Sequence, residues 1–160
     1  MTPFTIDDRQ YRARPFDADV HISLMLRLSP LFASMIAAAP SLLAARQRHE
    51  EADQPTDTVA RLADLSAAAG PVAERLAALD RNGDAKGIID ACLQAADQMV
   101  DGKGHPVMTK AGVISNRDNG TYVMKLKITM NVVRINFDGT LKGMGLDIDA
   151  LMGGSPDADV

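Results

Sequence analysis

The residues best suited to chemistry are few, and their spacing argues against most of what they could do. Asp80-Arg81-Asn82-Gly83-Asp84 opens like a calcium-binding loop. Such a loop needs glycine at its sixth position for the sharp turn and a bidentate glutamate at its twelfth. Ala85 and Ala91 stand there instead. The motif therefore reads as a turn between two helices, with Asp84 able to cap the second. The three histidines, His21, His49 and His105, match no zinc spacing, and the one cysteine, Cys92, supplies no thiolate cluster. His21 is expected on the flank of a helix, His49 in an exposed connection and His105 in a loop. Cys92 shares an apolar helical face with Ile88, Ile89 and Ala96, where a free cysteine serves as a small core hydrophobe.

Phosphate and nucleophile signatures are missing as well. There is no GxSxG, Walker or GxGxxG motif, and GMGLDI at 143–148 follows no strand that would present it. Asp17 with Asp19, and Asp147 with Asp149, are paired acids of the kind that cap helices or solvate surfaces. No catalytic, metal or cofactor site is expected, and the chain is not read as an enzyme. The nine methionines are of more interest. Flexible Met fills cores, and it also builds adaptable binding surfaces. Met25, Met35, Met130 and Phe137 are the candidate partner-binding residues.

The elements that would hold these side chains follow from patterning. Phe4-Thr5-Ile6 and Tyr11-Arg12-Ala13 alternate about an Asp-rich turn and predict a hairpin. From Asp17 onward, Val20, Leu24, Met25, Leu28, Leu31, Phe32, Met35 and Ile36 recur at helical steps, with Leu24, Leu28, Leu31 and Phe32 expected inside. Pro30 should kink or divide this helix, and Pro40 should close it. Residues 46–57 read as an exposed connection. Short helices are expected over Val59–Ala69 and from Pro71 to Asp80, separated at Gly70-Pro71. A further helix should carry Ile88, Ile89, Cys92, Leu93, Ala96 and Val100. A second hairpin is expected from Val113-Ile114 and Tyr122-Val123-Met124 around NRDNG. Residues 122–137 alternate like a strand, yet Met130, Val133, Phe137 and Leu141 also share a helical face. Helix is the choice for 128–142, starting at Thr129 with Met130, Val133, Phe137 and Leu141 inward.

Composition bounds the rest. The 160 residues include 24 alanines, 19 of them between positions 33 and 96, which favours helix. The four acids after position 142 leave the remaining 17 acids balanced by all 17 Lys and Arg. That distribution offers no basic footprint for nucleic acid. The single Cys suits a reducing compartment, and MTPFTIDDRQ lacks the plan of a signal peptide. No membrane partner is expected, because the apolar runs read as shorter than the roughly 18 residues that span a bilayer. The fold class expected is mainly α: one small helical domain over residues 1–145 with one or two short β-hairpins, and a flexible acidic tail over 146–160.

Three blocks, taken in order, resemble the tail assembly chaperones of long-tailed bacteriophages and prophages. FTIDDRQYRARPFDADVHISLMLRLSPLF resembles that family's opening hairpin and helix, with Arg27-Leu28-Ser29-Pro30-Leu31 at its centre. PVAERLAALDRNGDAKGIIDACL at 71–93 is similar to its paired helices, and ITMNVVRINFDGTLKGM at 128–144 to its closing helix. The resemblance implies a non-enzymatic helper in the host cytoplasm. It would bind the tape measure protein, help recruit tail tube protein and be absent from the finished virion. A structural tail component is the alternative, and a homo-oligomer is left open.

Overall fold

The computed structural model describes residues 1–50 and 58–145. It is mainly α-helical, with one small antiparallel sheet, as expected from the patterning. Strands β1 (Thr2–Ile6) and β2 (Arg9–Ala13) form the N-terminal hairpin. Its turn is Asp7-Asp8, both with positive φ (47° and 63°), the type I′ geometry that matches strand twist. Phe4, Ile6, Tyr11 and Ala13 point to one face and are buried, while their neighbours face out.

The following helix, α1, runs from Ala18 to Glu50 without a break, so Pro30 and Pro40 neither divide nor end it. Likewise α2 runs from Thr58 to Arg81 through Gly70-Pro71. In both cases packing of one helix along the other overrides a local break signal. The expected exposed connection shrinks accordingly. Helix α1 takes its first five residues, and 51–57 lie outside the described residues, as does the expected tail over 146–160.

Residues 28–45 hold no charged side chain, and α1 over Ala18–Ala45 is long and apolar enough to cross a membrane by length and composition. The expectation that the apolar runs are too short is thereby corrected. One side of this helix lies in the protein's own core through Leu24, Leu28 and Phe32, with Leu31 half-buried.

After the Asn82-Gly83 turn comes α3 (Asp84–Gln94). Gly83 takes the N-cap position at φ 76° and Asp84 lies in the first turn, so Asp84 favours the helix dipole without capping it. Helix α3 stops six residues short of expectation. Ala96 and Val100 belong instead to β3 (Ala96–Val100), which pairs with β2 and with β4 (Lys103–Pro106). The sheet order is β1-β2-β3-β4. The second hairpin therefore turns at Asp101-Gly102. NRDNG forms no hairpin. Its last four residues are a 3-10 turn (Arg117–Gly120) that leads into α4 (Tyr122–Gly143).

Helix over 128–142 is correct, but its cap lies earlier: Thr121 accepts the Met124 N–H at 3.3 Å. The buried side of α4 also rotates along its length. Met124, Ile128 and Val132 are buried in the first half, whereas Phe137 and Leu141 are buried near the end. Phe137 meets Phe16, His21 and Phe32, with ring centroids 4.5–6.0 Å away. Met130 shares a helical face with Phe137 by spacing, but in the first half that face points outward. It is 53% exposed, contrary to the inward placement expected.

Candidate partner-binding surface

Two polar clamps fix the body that carries the surface. In the first, the Tyr11 hydroxyl donates to Asn119 Oδ1 at 2.9 Å, and Asn119 Nδ2 donates to Gln98 Oε1 at 2.9 Å. Asn116 Nδ2 reaches the same Gln98 oxygen at 3.2 Å. Tyr11 and Asn119 are fully buried, and Gln98 nearly so. This chain ties the 3-10 turn to the two central strands. Burial raises the Tyr11 pKa, and the Arg9 guanidinium opposes that shift. In the second clamp, Asn136 Oδ1 accepts the Phe16 N–H at 3.0 Å, while Asn136 Nδ2 donates to the Arg14 and Val132 carbonyls at 3.3 and 3.0 Å. It fastens α4 to the segment that leads from β2 into α1. Arg14 completes the joint by donating to the Gln94 carbonyl at the end of α3.

With its inner side held in this way, α1 presents an opposite side that is uncharged from Ile22 to Ala44. Ile22, Leu26, Ser29, Ala33, Ala37, Pro40 and Ala44 follow one another at three- and four-residue steps, with Pro30 beside Ser29, and all are exposed. Ile22 is 59% exposed and Leu26 71%. At 1.5 Å per residue the stripe is about 33 Å long. Arg27 lies at its border and is drawn toward Asp84 of α3, 3.6 Å away. A shorter apolar patch on α4 comprises Tyr122, Val123 and Met130. Lys127, between the last two, is held by Asp7 of the hairpin turn at 2.7 Å.

The four candidate residues do not form one exposed surface. Phe137 is core, with 0% exposure. Met25 and Met35 are half-buried against the core, leaving Met130 as the exposed member of the set. Sequence reasoning passed over Ile22 and Leu26. Their signal was present: two large apolar residues that fall off the core stripe of an otherwise well-patterned helix.

Of the titratable groups weighed earlier, Cys92 is fully buried, and burial pushes its thiol up to about 12, so it is no nucleophile. His21 lies half-buried between Phe16 and Phe137, as a helix flank should. His105 is exposed on β4 rather than in a loop. The side chain of His49 lies outside the described residues. Among the described residues, no three His, Cys, Asp or Glu side chains are grouped to hold a metal ion.

Fold and surface together define the class: a mainly helical protein with a small antiparallel sheet and one long uncharged helix face. The family model described as phage tail assembly chaperone protein, TAC, matches residues 7–146. The chain belongs to that family. No curated protein and no solved structure gives a significant match.

Proposed function

We propose that this chaperone binds an amphipathic helical segment of the tape measure protein in the host cytoplasm. In this reading it keeps that long protein soluble while tail tube protein assembles around it, and it leaves before the virion is complete. The observation that carries the reading is the uncharged outer side of α1. An exposed apolar stripe on a helix is the complement of a partner's apolar helix face, read as i, i+3, i+4 anchors. Such a stripe is also far larger than the scattered apolar residues of an ordinary surface. Residues 1–145 act as one domain. The apolar length of α1 serves protein contacts on both sides, with the core inside and the partner outside, and takes no part in a membrane. The α4 patch with Met130 extends the contact.

Co-expression with the matched tape measure protein tests this. The native chain should raise the soluble yield of its partner and co-elute with it on gel filtration. Ile22→Asp/Leu26→Asp should lose the complex while remaining folded, because both positions are exposed. Deleting residues 150–160 should leave binding nearly intact, since the contact is apolar and solvated charges are screened by salt. A tape measure protein that stays equally insoluble, with no complex surviving, refutes the reading. Finding the chain in purified virions favours a structural tail component instead.

A further inference from the structure

The outer stripe of α1 is symmetric along its own length. From Ile22 to Ala44 its steps run four, three, four, four, three and four residues, the same from either end, with Ala33 at the centre. Ile22 and Ala44 lie equally far from Ala33, as do Leu26 and Pro40, and Ser29 and Ala37. Size is distributed the opposite way. The large side chains, Ile22 and Leu26, stand in the first half, and Ala37, Pro40 and Ala44 fill the second. Laid on a second copy of itself, antiparallel and centred on Ala33, the stripe sets Ile22 level with Ala44 and Leu26 level with Pro40, twice over. That is the self-complementarity of a two-fold interface, in which residue i meets j and j meets i. Small residues at the centre, Ser29, Ala33 and Ala37, let the two backbones come close.

Charge agrees with that direction. One step before Ile22 the stripe reaches Asp19, which is exposed, and one step after Ala44 it reaches Arg48. Antiparallel pairing sets the acid of one copy within one residue of the base of the other, at both ends. Parallel pairing would set acid on acid, base on base and Ile22 and Leu26 on themselves, with the helix dipoles aligned. Arg27, at the border, is drawn off toward Asp84 of its own chain. We infer that the free chain forms a two-fold dimer through α1, antiparallel and centred on Ala33. The pairing needs no tape measure protein and holds or fails independently of that reading. Its footprint, about 33 Å by the roughly 10 Å width of a helix, is about 330 Å² per copy. A standard interface covers about 800 Å² per partner, so the dimer is weak. It shields the stripe in the free chain and gives way to a partner that binds the same stripe more tightly.

Sedimentation equilibrium of the free chain over a concentration series should show its mass rising toward roughly twice that of one chain. Ala33→Arg, at the axis, sets a charge against its own copy and should hold the chain monomeric. Cysteine cross-linking reads the register. Diamide, which takes up the two protons and two electrons of a thiol pair, should join Ala33→Cys chains to one another. Facing Cα atoms at the axis fall within the about 4–7 Å that a disulfide spans. Ile22→Cys chains alone should stay unjoined, because their thiols lie about 33 Å apart in the pair. A mixture of Ile22→Cys and Ala44→Cys chains should yield the mixed disulfide. All three positions are exposed, so the variants fold, and the fully buried Cys92 stays out of the reaction. A chain that remains monomeric up to about 1 mM, the weak end of measurable association, overturns the dimer. So does a pair that survives Ala33→Arg, or Ile22→Cys chains that join as fast as Ala33→Cys chains.

Discussion

Removing a single hydroxyl at Tyr11 should loosen the sheet from the turn that precedes α4. In Tyr11→Phe the ring stays, stacked on Phe4 at 5.4 Å, so packing is preserved. The loss is the hydrogen bond to Asn119 Oδ1, whose residue has no access to solvent. A buried acceptor left without its donor costs about 1–3 kcal/mol. Asn119→Ala removes the acceptor, one of the two amide donors to Gln98 and some packed volume. It should cost about 2–4 kcal/mol. Asn116 still serves Gln98, which limits that loss. The double variant should cost less than the two single changes together, with a coupling of about 1–2 kcal/mol, because either change alone breaks the shared bond. Urea unfolding measures this directly. At a typical slope near 2 kcal/mol/M, Tyr11→Phe should lower the midpoint by about 0.5–1.5 M without changing the slope. A loss below about 0.5 kcal/mol, or strict additivity, would falsify the idea that this bond fastens the turn to the strands.

Leu28→Ala, on the buried side of α1, should destabilise by about 2–5 kcal/mol in the same assay, whereas Leu26→Asp on the exposed side should stay within about 0.5 kcal/mol. The Thr129 hydroxyl is buried and has no hydrogen-bond partner among the described residues, so Thr129→Val should be neutral or stabilising, and a loss above about 1 kcal/mol would refute this. Thr121→Ala removes the cap of α4 and should cost about 1 kcal/mol, seen as a lower midpoint with faster amide exchange in the first turn of that helix. Cys92 keeps its proton in the folded state up to about 12, while the unfolded thiol loses it from 9.0. Its contribution is therefore whole below that range and falls as pH rises through it, by up to roughly 1.4 kcal/mol per pH unit. Cys92→Ala should remove this part of the alkaline decline.

What the sequence made readable was local. Alternation around Asp7-Asp8 sufficed for the first hairpin, and the recurrence of Leu24, Leu28 and Phe32 sufficed for the inner side of α1. Proline misled because its penalty of about 3 kcal/mol is a local quantity, and two long helices packed together can absorb it. Ala96 and Val100 misled for the opposite reason. They continue the spacing set by Cys92, but β2 is a central strand whose second edge needs a partner, and that demand is written far away in the chain. Met130 was placed inward by extending one stripe along α4, when the helix meets the sheet first and Phe16, His21 and Phe32 later. The candidate surface suffered from the same habit, since attention to the core stripe of α1 left Ile22 and Leu26 aside.

The pairing of β2 with β3 sets a timetable for synthesis. Tyr11 stands opposite Gln98, 87 positions later. At about 5–20 residues per second, the first hairpin leaves the ribosome roughly 4–17 s before its neighbouring strand does. During that interval Phe4, Ile6 and Tyr11 have no sheet to complete, and a lone hairpin is marginal in water. Only α1 and α2, whose contacts are nearer in sequence, can form meanwhile. Nascent chains halted before Pro106 should therefore hold a helical pair and an unanchored start. Protease should clip the first thirteen residues until β4 has emerged.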